Sequence, residues 1–282
     1  MDLLEIVRKC GIVAEDMKIS SFLREEDASE YQVWLVSAGE GQYVLKKAKG
    51  MELAVYASFF AKDVQGAPRF LGSWQDWFLM EYVPGEGLCR CDRERLRLAL
   101  DALIALQDRF WDHDETGYAF ADSLAHRKKR GEYLRDAQLE RAYEKFLTLY
   151  EHLPRTLCHD DLLPFNVLVS DEKATIIDWE CAGILPYPVS LARLIAHGTE
   201  DADAFFYMTE EDRAFAIDYY YENLIQGKGI AYSDYRRALD YFLLYEYCEW
   251  IMLGNKYPDA DMVRYHFYLN KARAHVDQKS LA

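Results

Sequence analysis

Pro84-Gly85-Glu86-Gly87 divides the chain into two unlike parts, and this division limits the fold more than any other feature. Proline fixes φ and removes a donor, and glycine accepts conformations that other residues avoid, so the segment reads as punctuation between lobes. Before it, the strand-like runs Tyr31–Val36 and Gln42–Ala48 flank Ser37-Ala38-Gly39-Glu40-Gly41, the pattern of a hairpin. MELAVYASFFAKD follows as an amphipathic helix, then RFLGSW and WFLMEYV as two further strands. Residues 1 to about 23 read as a helix and a connector, with Ile6, Val7, Cys10 and Val13 at helical spacing. Beyond Gly87 helical periodicity dominates. Glu94–Phe110 carries Leu96, Leu100, Leu103 and Leu106 on one side, Ser123–His152 holds one or two helices, and a Tyr-rich helical region begins at Leu191. Only residues 155–180 interrupt it, with a short β hairpin. The expected class is α+β, with a small antiparallel-sheet lobe over residues 1–83 and a larger, mostly α-helical lobe over 84–282.

Composition removes whole classes of function. The 282 residues are 51% hydrophobic and 15% aromatic, enough for a packed core and incompatible with a disordered chain. No run of 18 apolar residues exists to span a membrane. Asp2 and Glu5 sit within the first five residues, where a secretory leader would be basic, so the expected compartment is the cytoplasm. The formal charge is −15, and no basic footprint for nucleic acid is present. Such a surface repels phosphate backbones and anionic membranes and attracts cations. Most of the excess lies in the larger lobe, with 35 acids against 24 bases beyond Pro84 and 13 against 9 up to it. The six cysteines are scattered, and Cys89-x-Cys91 lacks a second pair at zinc spacing, so no metal or disulfide is assigned to them.

Chemistry concentrates in TLCHDDLLPFNVLVSDEKATIIDWE. Val167-Leu168-Val169 and Thr175-Ile176-Ile177 read as strands about a turn at Ser170–Lys173. In an antiparallel hairpin the residue before the first strand and the residue after the second meet at one end, here Asn166 and Asp178. A carboxamide oxygen and a carboxylate suit Mg²⁺, which takes hard oxygens and few protein ligands, leaving room for phosphates. Asp161, five residues upstream of Asn166, enters the same end, where a base orienting a hydroxyl nucleophile would sit.

His159-x-Asp161-x4-Asn166, followed by Ile177-Asp178, resembles the catalytic segment of the aminoglycoside phosphotransferase and choline kinase superfamily. The resemblance extends over the whole chain and implies a two-lobed protein-kinase-like fold. It implies Asp161 as catalytic base, Asn166 and Asp178 as Mg²⁺ ligands, and His159 as a brace of the catalytic loop. It also implies a lysine on a strand, held by a helix glutamate, to fix the α and β phosphates. Val44-Leu45-Lys46 fits that pattern, and strand alternation separates Lys46 from Lys47. Glu52 shares a helix face with Val55, Tyr56 and Phe59 and is the partner expected for Lys46. WFLMEYVPGE resembles the linker between kinase lobes, with the backbone of Glu81 to Val83 at the edge of the base and Met80 and Tyr82 near it. The donor is ATP, with GTP open.

Two departures from the family pattern stand out. The stretch corresponding to the phosphate-covering loop, Arg24–Glu30, has four acids and no glycine, with Ser29 as a substitute hydroxyl and amide. Ser190 stands before Leu191-Ala192 where relatives often have aspartate, with a packing consequence expected.

For the acceptor, Glu246, Glu249 and Trp250 share one face of a helix beside Tyr245, the composition of a cation site. Glu180, Asp201 and Asp203 are further candidates. A cationic small molecule is expected, either an aminoglycoside-like antibiotic or a choline- or ethanolamine-type metabolite. A nucleotide-binding pseudokinase with a regulatory role is the alternative. A protein kinase fits poorly, because Trp179-Glu180 replaces Phe-Gly after Asp178 and no Ala-Pro-Glu segment follows.

Overall fold

The structure, a computed structural model, describes residues 2–23, 30–113, 120–257 and 261–281. The chain opens with helix α1 (Leu3–Lys9) and strand β1 (Met17–Leu23). Strands β2 (Glu30–Ala38) and β3 (Gly41–Lys47) follow, then helix α2 (Glu52–Phe59) and strands β4 (Phe70–Trp74) and β5 (Trp77–Glu81). The strands form one antiparallel sheet in the order β1-β2-β3-β5-β4. Strand β1 corrects the expectation of a connector there. MKISSFL has a short, weakly apolar alternation that gains its meaning only from pairing with β2, where Ile19 faces Val36.

The two faces of the sheet serve different ends. Leu45 and Leu79 pack with Ile6, Val7 and Cys10 of α1 in a small separate cluster. Val44, Phe78 and Met80 face the other way and join α2 in the main core. Gly72 permits the close approach of α1 to β4, since a Cβ there would stand 2.1 Å from the Cys10 carbonyl oxygen.

The larger lobe begins with the two-residue strand β6 (Glu86–Gly87) and helix α3 (Arg93–Arg109). Asp92 caps α3 by accepting from the N–H groups of Glu94 and Arg95. Helices α4 (Phe120–Gly131) and α5 (Ala137–His152) are separate, and Asp136 caps the second. Strand β7 (Arg155–His159) pairs with β10 (Ala182–Pro186), a pairing that brackets the hairpin of β8 (Val167–Val169) and β9 (Ala174–Ile176). This pair was not expected from the sequence, because RTLCH and AGILP are short buried runs without alternation. Helices α6 (Pro188–Ala196), α7 (Glu210–Tyr220), α8 (Tyr232–Lys256) and α9 (Met262–Lys279) complete the chain, with residues 197–209 as a long loop between α6 and α7. The result is α+β and two-lobed. One buried cluster runs from the sheet through α2 into α3 and Trp179 of the larger lobe. No helix among the described residues is long and apolar enough to cross a membrane.

Candidate active site

Strand β3 turns Lys46 toward the larger lobe and Lys47 away. The Lys46 ammonium donates to Glu52 Oε1 at 2.6 Å and to Asp178 Oδ1 at 2.5 Å, whereas Lys47 pairs with Asp76 at the surface. Burial opposes the ammonium, but the two carboxylates outweigh it and raise the Lys46 pKa above that of an ordinary lysine. Glu52 is fully enclosed, and burial pushes its carboxyl up against the pull of Lys46. One cation thus ties the sheet, α2 and the hairpin of the larger lobe together.

The hairpin end is held by backbone bonds. Ile177 N–H donates to the Asn166 carbonyl at 2.9 Å, and His159 Nε2 bonds the Ile177 carbonyl at 2.8 Å. Trp179 Nε1 donates to the Ile176 carbonyl at 2.8 Å. Asp178 sits in the left-handed region at φ 65° and ψ 56°, a conformation that aspartate tolerates better than most residues. The Asn166 amide nitrogen donates to the Asp161 carbonyl at 2.9 Å, which fixes the amide and turns its oxygen the other way. His159 is fully buried, and burial lowers its pKa below that of an ordinary histidine. Its backbone N–H donates to Ser190 Oγ at 2.9 Å. Ser190 therefore hydrogen-bonds the end of β7, just before the loop that carries Asp161, a more specific part than the packing role expected for it.

Asp161 lies on the loop after β7. Its Oδ1 accepts from Arg193 Nε at 3.1 Å and Nη2 at 2.7 Å. Arg193 Nη1 also donates to Glu246 Oε2 and Glu249 Oε2, both at 2.8 Å. Glu249 bonds Arg130 and accepts from the Tyr245 hydroxyl, and His197 Nε2 lies 3.4 Å from Glu246. Trp250 stacks on Tyr268 and carries the Arg264 guanidinium 4.3 Å from its ring centre. On this face of α8 the chain's own arginines meet the residues expected for a cation, Arg193 and Arg130 at the glutamates and Arg264 on Trp250. Glu246 and Glu249 do reach the Asp161 side of the loop, through Arg193.

Glu180 stands elsewhere than its acceptor reading implied. One oxygen each from Glu52, Asp178 and Glu180 lie within 4.8 Å of one another, and Lys49 is 3.7 Å from Glu180. It belongs to the Lys46 corner. Met80 and Val83 are buried beside the cleft. The Glu81 N–H is used by the Arg69 carbonyl at 3.0 Å, so Glu81 has its carbonyl rather than its donor to offer a base. Ser29 lies outside the described residues.

Sequence reasoning overlooked two arginines. Arg193 interrupts the apolar run PVSLARLIA, and a charge on a buried helix face signals an internal partner. Arg127 of α4 is buried between the rings of Tyr150 and Tyr245, at 4.5 and 4.7 Å, and pairs with Asp160 beside the candidate base. Removing one partner of such a pair leaves a buried charge without compensation. Arg127→Met is expected to destabilise the protein by about 3 kcal/mol, read as a lower urea midpoint, and an unchanged midpoint would contradict this account of the pair.

A sheet lobe with a Lys–Glu pair, set over a helical lobe whose loop carries Asp161 and Asn166 and whose hairpin ends in Asp178, is a kinase-like arrangement. A family model described as the phosphotransferase enzyme family matches residues 23–224, and the chain belongs to that family. The fold is similar to an aminoglycoside phosphotransferase from Alicyclobacillus acidocaldarius, with TM-score 0.63, 14% identity, and 98% of this chain and 95% of that one covered. It is similar to a choline kinase from Cryptosporidium parvum, with TM-score 0.62, 13% identity, and 99% and 96% covered. It is also similar to an aminoglycoside phosphotransferase in ternary complex with AMP-PNP and hygromycin B, with TM-score 0.57, 16% identity, and 97% of each chain covered. No curated protein matches the sequence significantly.

Proposed function

We propose that this phosphotransferase is a small-molecule kinase that moves the γ-phosphate of ATP, or of GTP, to a hydroxyl of an amine-bearing acceptor. The observation that carries the reading is the Lys46 ammonium held between Glu52 and Asp178, with Asp161 and Asn166 on the adjoining loop. We place the lobe boundary between Val83 and Pro84.

In this reading Lys46, aimed by Glu52, holds the α and β phosphates. The Glu81 carbonyl and the Val83 backbone meet the edge of the base, with Met80 and Val44 as apolar walls. The hard oxygens of Asn166 and Asp178, with Glu180 in reach, fit Mg²⁺ as ligands. When bound, that ion would supply charge neutralisation at the phosphates. Arg193 occupies Oδ1 of Asp161 and so fixes the carboxylate, leaving Oδ2 to align the acceptor hydroxyl and take its proton. The hydroxyl oxygen bonds to the γ-phosphorus, the bond to the β-phosphate oxygen breaks, and the nucleoside diphosphate leaves. Positioning and charge neutralisation supply most of the acceleration. His159 acts as a brace rather than a proton carrier.

The similarity to aminoglycoside phosphotransferases and a choline kinase and the acidic surface support a cationic acceptor, with the aminoglycoside class slightly favoured over choline- or ethanolamine-type metabolites. The test is nucleoside diphosphate release from ATP, and separately GTP, with Mg²⁺ and a panel of hygromycin B, other aminoglycosides, choline, ethanolamine, homoserine and sugars. An acceptor-dependent rate that vanishes in Asp161→Ala is expected. Turnover in Asp161→Ala equal to wild type would overturn the assignment. The Gly-free, acid-rich stretch Arg24–Glu30 favours a second reading, a nucleotide-binding regulator. A thermal shift with ATP and Mg²⁺ but no rate with any acceptor would point to it.

A further inference from the structure

Phe165, Phe205 and Phe206 gather at the edge of the candidate active site and pack on one another. Their ring centres lie 5.9 Å apart for Phe165 and Phe206, 4.8 Å for Phe205 and Phe206, and 6.5 Å for Phe165 and Phe205. None belongs to either core cluster, and Phe205 and Phe165 are 69% and 41% exposed. An exposed aromatic group of this kind is costly in water and marks a contact surface.

The group is built rather than accidental. Phe165 lies in the short 3-10 turn Pro164–Asn166, immediately before Asn166. Four peptide links separate it from Asp161, a span of at most about 14 Å. Phe205 and Phe206 come from the loop 197–209, which leaves α6 beside Arg193 and returns across the start of the larger lobe. That loop is fixed by Tyr207 N–H to the Cys89 carbonyl at 2.9 Å, Cys91 N–H to the Tyr207 carbonyl at 3.1 Å, and Arg90 Nη1 to the Ala202 carbonyl at 2.6 Å. Thr199 N–H to the Phe206 carbonyl and Met208 N–H to the Thr199 carbonyl close it internally. The same loop exposes Asp201 and Asp203, with the Asp203 N–H bonded to Asp201 Oδ1 at 3.0 Å.

We propose that Phe165, Phe205 and Phe206 form a platform for a flat apolar part of the acceptor, with Asp201 and Asp203 meeting its positive charge. This rests on the kinase reading and adds an aromatic or flat apolar ring to the acceptor's hydroxyl and cation. Continuity with the catalytic loop places the occupant within reach of Asp161. Size favours a small molecule over a protein. The exposed ring area is on the order of 300 Å², against about 800 Å² per partner in a stable protein interface. Glu246 and Glu249 are committed to Arg193 and Arg130, whereas Asp201 and Asp203 are exposed on the loop, with Asp201 Oδ1 accepting from the Asp203 N–H.

The test compares choline with its N-benzyl analogue, benzyldimethyl(2-hydroxyethyl)ammonium, which keeps the hydroxyl and charge and adds one ring. Binding to protein loaded with AMP-PNP and Mg²⁺ is measured by titration calorimetry, so the result does not depend on turnover. The benzyl compound should bind about tenfold more tightly to wild type, the scale of one aromatic stacking contact. Phe205→Ala, at a mostly exposed position, and separately Phe165→Ser should each remove most of that difference. Equal affinities in wild type, no binding of the benzyl compound, or a preference that survives both substitutions would overturn the platform. A concentration-dependent dimer abolished by Phe205→Ala in sedimentation would assign the patch to a second copy instead. Nucleoside diphosphate release from ATP with the same two compounds scores the kinase reading separately.

Discussion

Asp161→Asn is expected to lower kcat by about 10³-fold, within the range for loss of a positioned general base, and to leave the affinity for ATP with Mg²⁺ within about twofold. The asparagine keeps the size of the side chain and an oxygen for the Arg193 guanidinium, which donates to Oδ1 in the native protein. What it loses is the carboxylate oxygen that would receive the acceptor's proton. The effect therefore falls on the chemical step. Single-turnover rates with saturating nucleotide and acceptor, with nucleotide affinity measured alongside, separate the two quantities. A kcat within tenfold of wild type would sink the role given to Asp161. A parallel loss of nucleotide affinity would mean that the substitution had disturbed the loop instead.

Asp178→Asn should act on the other half of the cycle. Asp178 faces Lys46 at 2.5 Å and shares its corner with Glu52 and Glu180. Replacing the carboxylate would remove a charged oxygen from the proposed Mg²⁺ site and one of the two carboxylates that hold Lys46. The half-saturating Mg²⁺ concentration is expected to rise about 100-fold, the upper end of losses seen when groups that merely orient a metal ligand are removed. Nucleotide affinity in the presence of Mg²⁺ should fall with it. A Mg²⁺ titration of nucleotide binding reads both. An unchanged half-saturation would remove Asp178 from the metal site and leave it as an ion-pair partner of Lys46.

Much of the arrangement was legible because local rules and tertiary structure agree. Alternation on β3 separated Lys46 from Lys47, since Leu45 must enter the α1 cluster and Val44 the main core. The hairpin carrying Asn166 and Asp178 followed from two short β runs about a turn. Glu52 was visible as an acid on an apolar helix face. The missed elements share a different cause. β7 and β10 are short strands whose paired residues lie 23 or more apart in sequence, and β1 carries only a weak alternation that its pairing with β2 settles. Arg193 and Arg127 looked like ordinary helix residues, because their carboxylate partners lie between 32 and 56 residues away. Glu180 was assigned to the acceptor by proximity to Asp178, and only the turn Trp179–Cys181 shows which way it faces.

Topology draws two lobes, but packing draws one body. The Phe60 ring meets Trp179 edge-on at 4.9 Å, and Tyr56 packs on Phe78 at 4.8 Å, so the cleft floor is a continuous aromatic seam from sheet to hairpin. A close-packed interior resists gaps and yields by small sliding steps. Any movement of the sheet over the larger part must shift Phe60 against Trp179 and carry Lys46 away from or toward Asp178, because both contacts cross between the two.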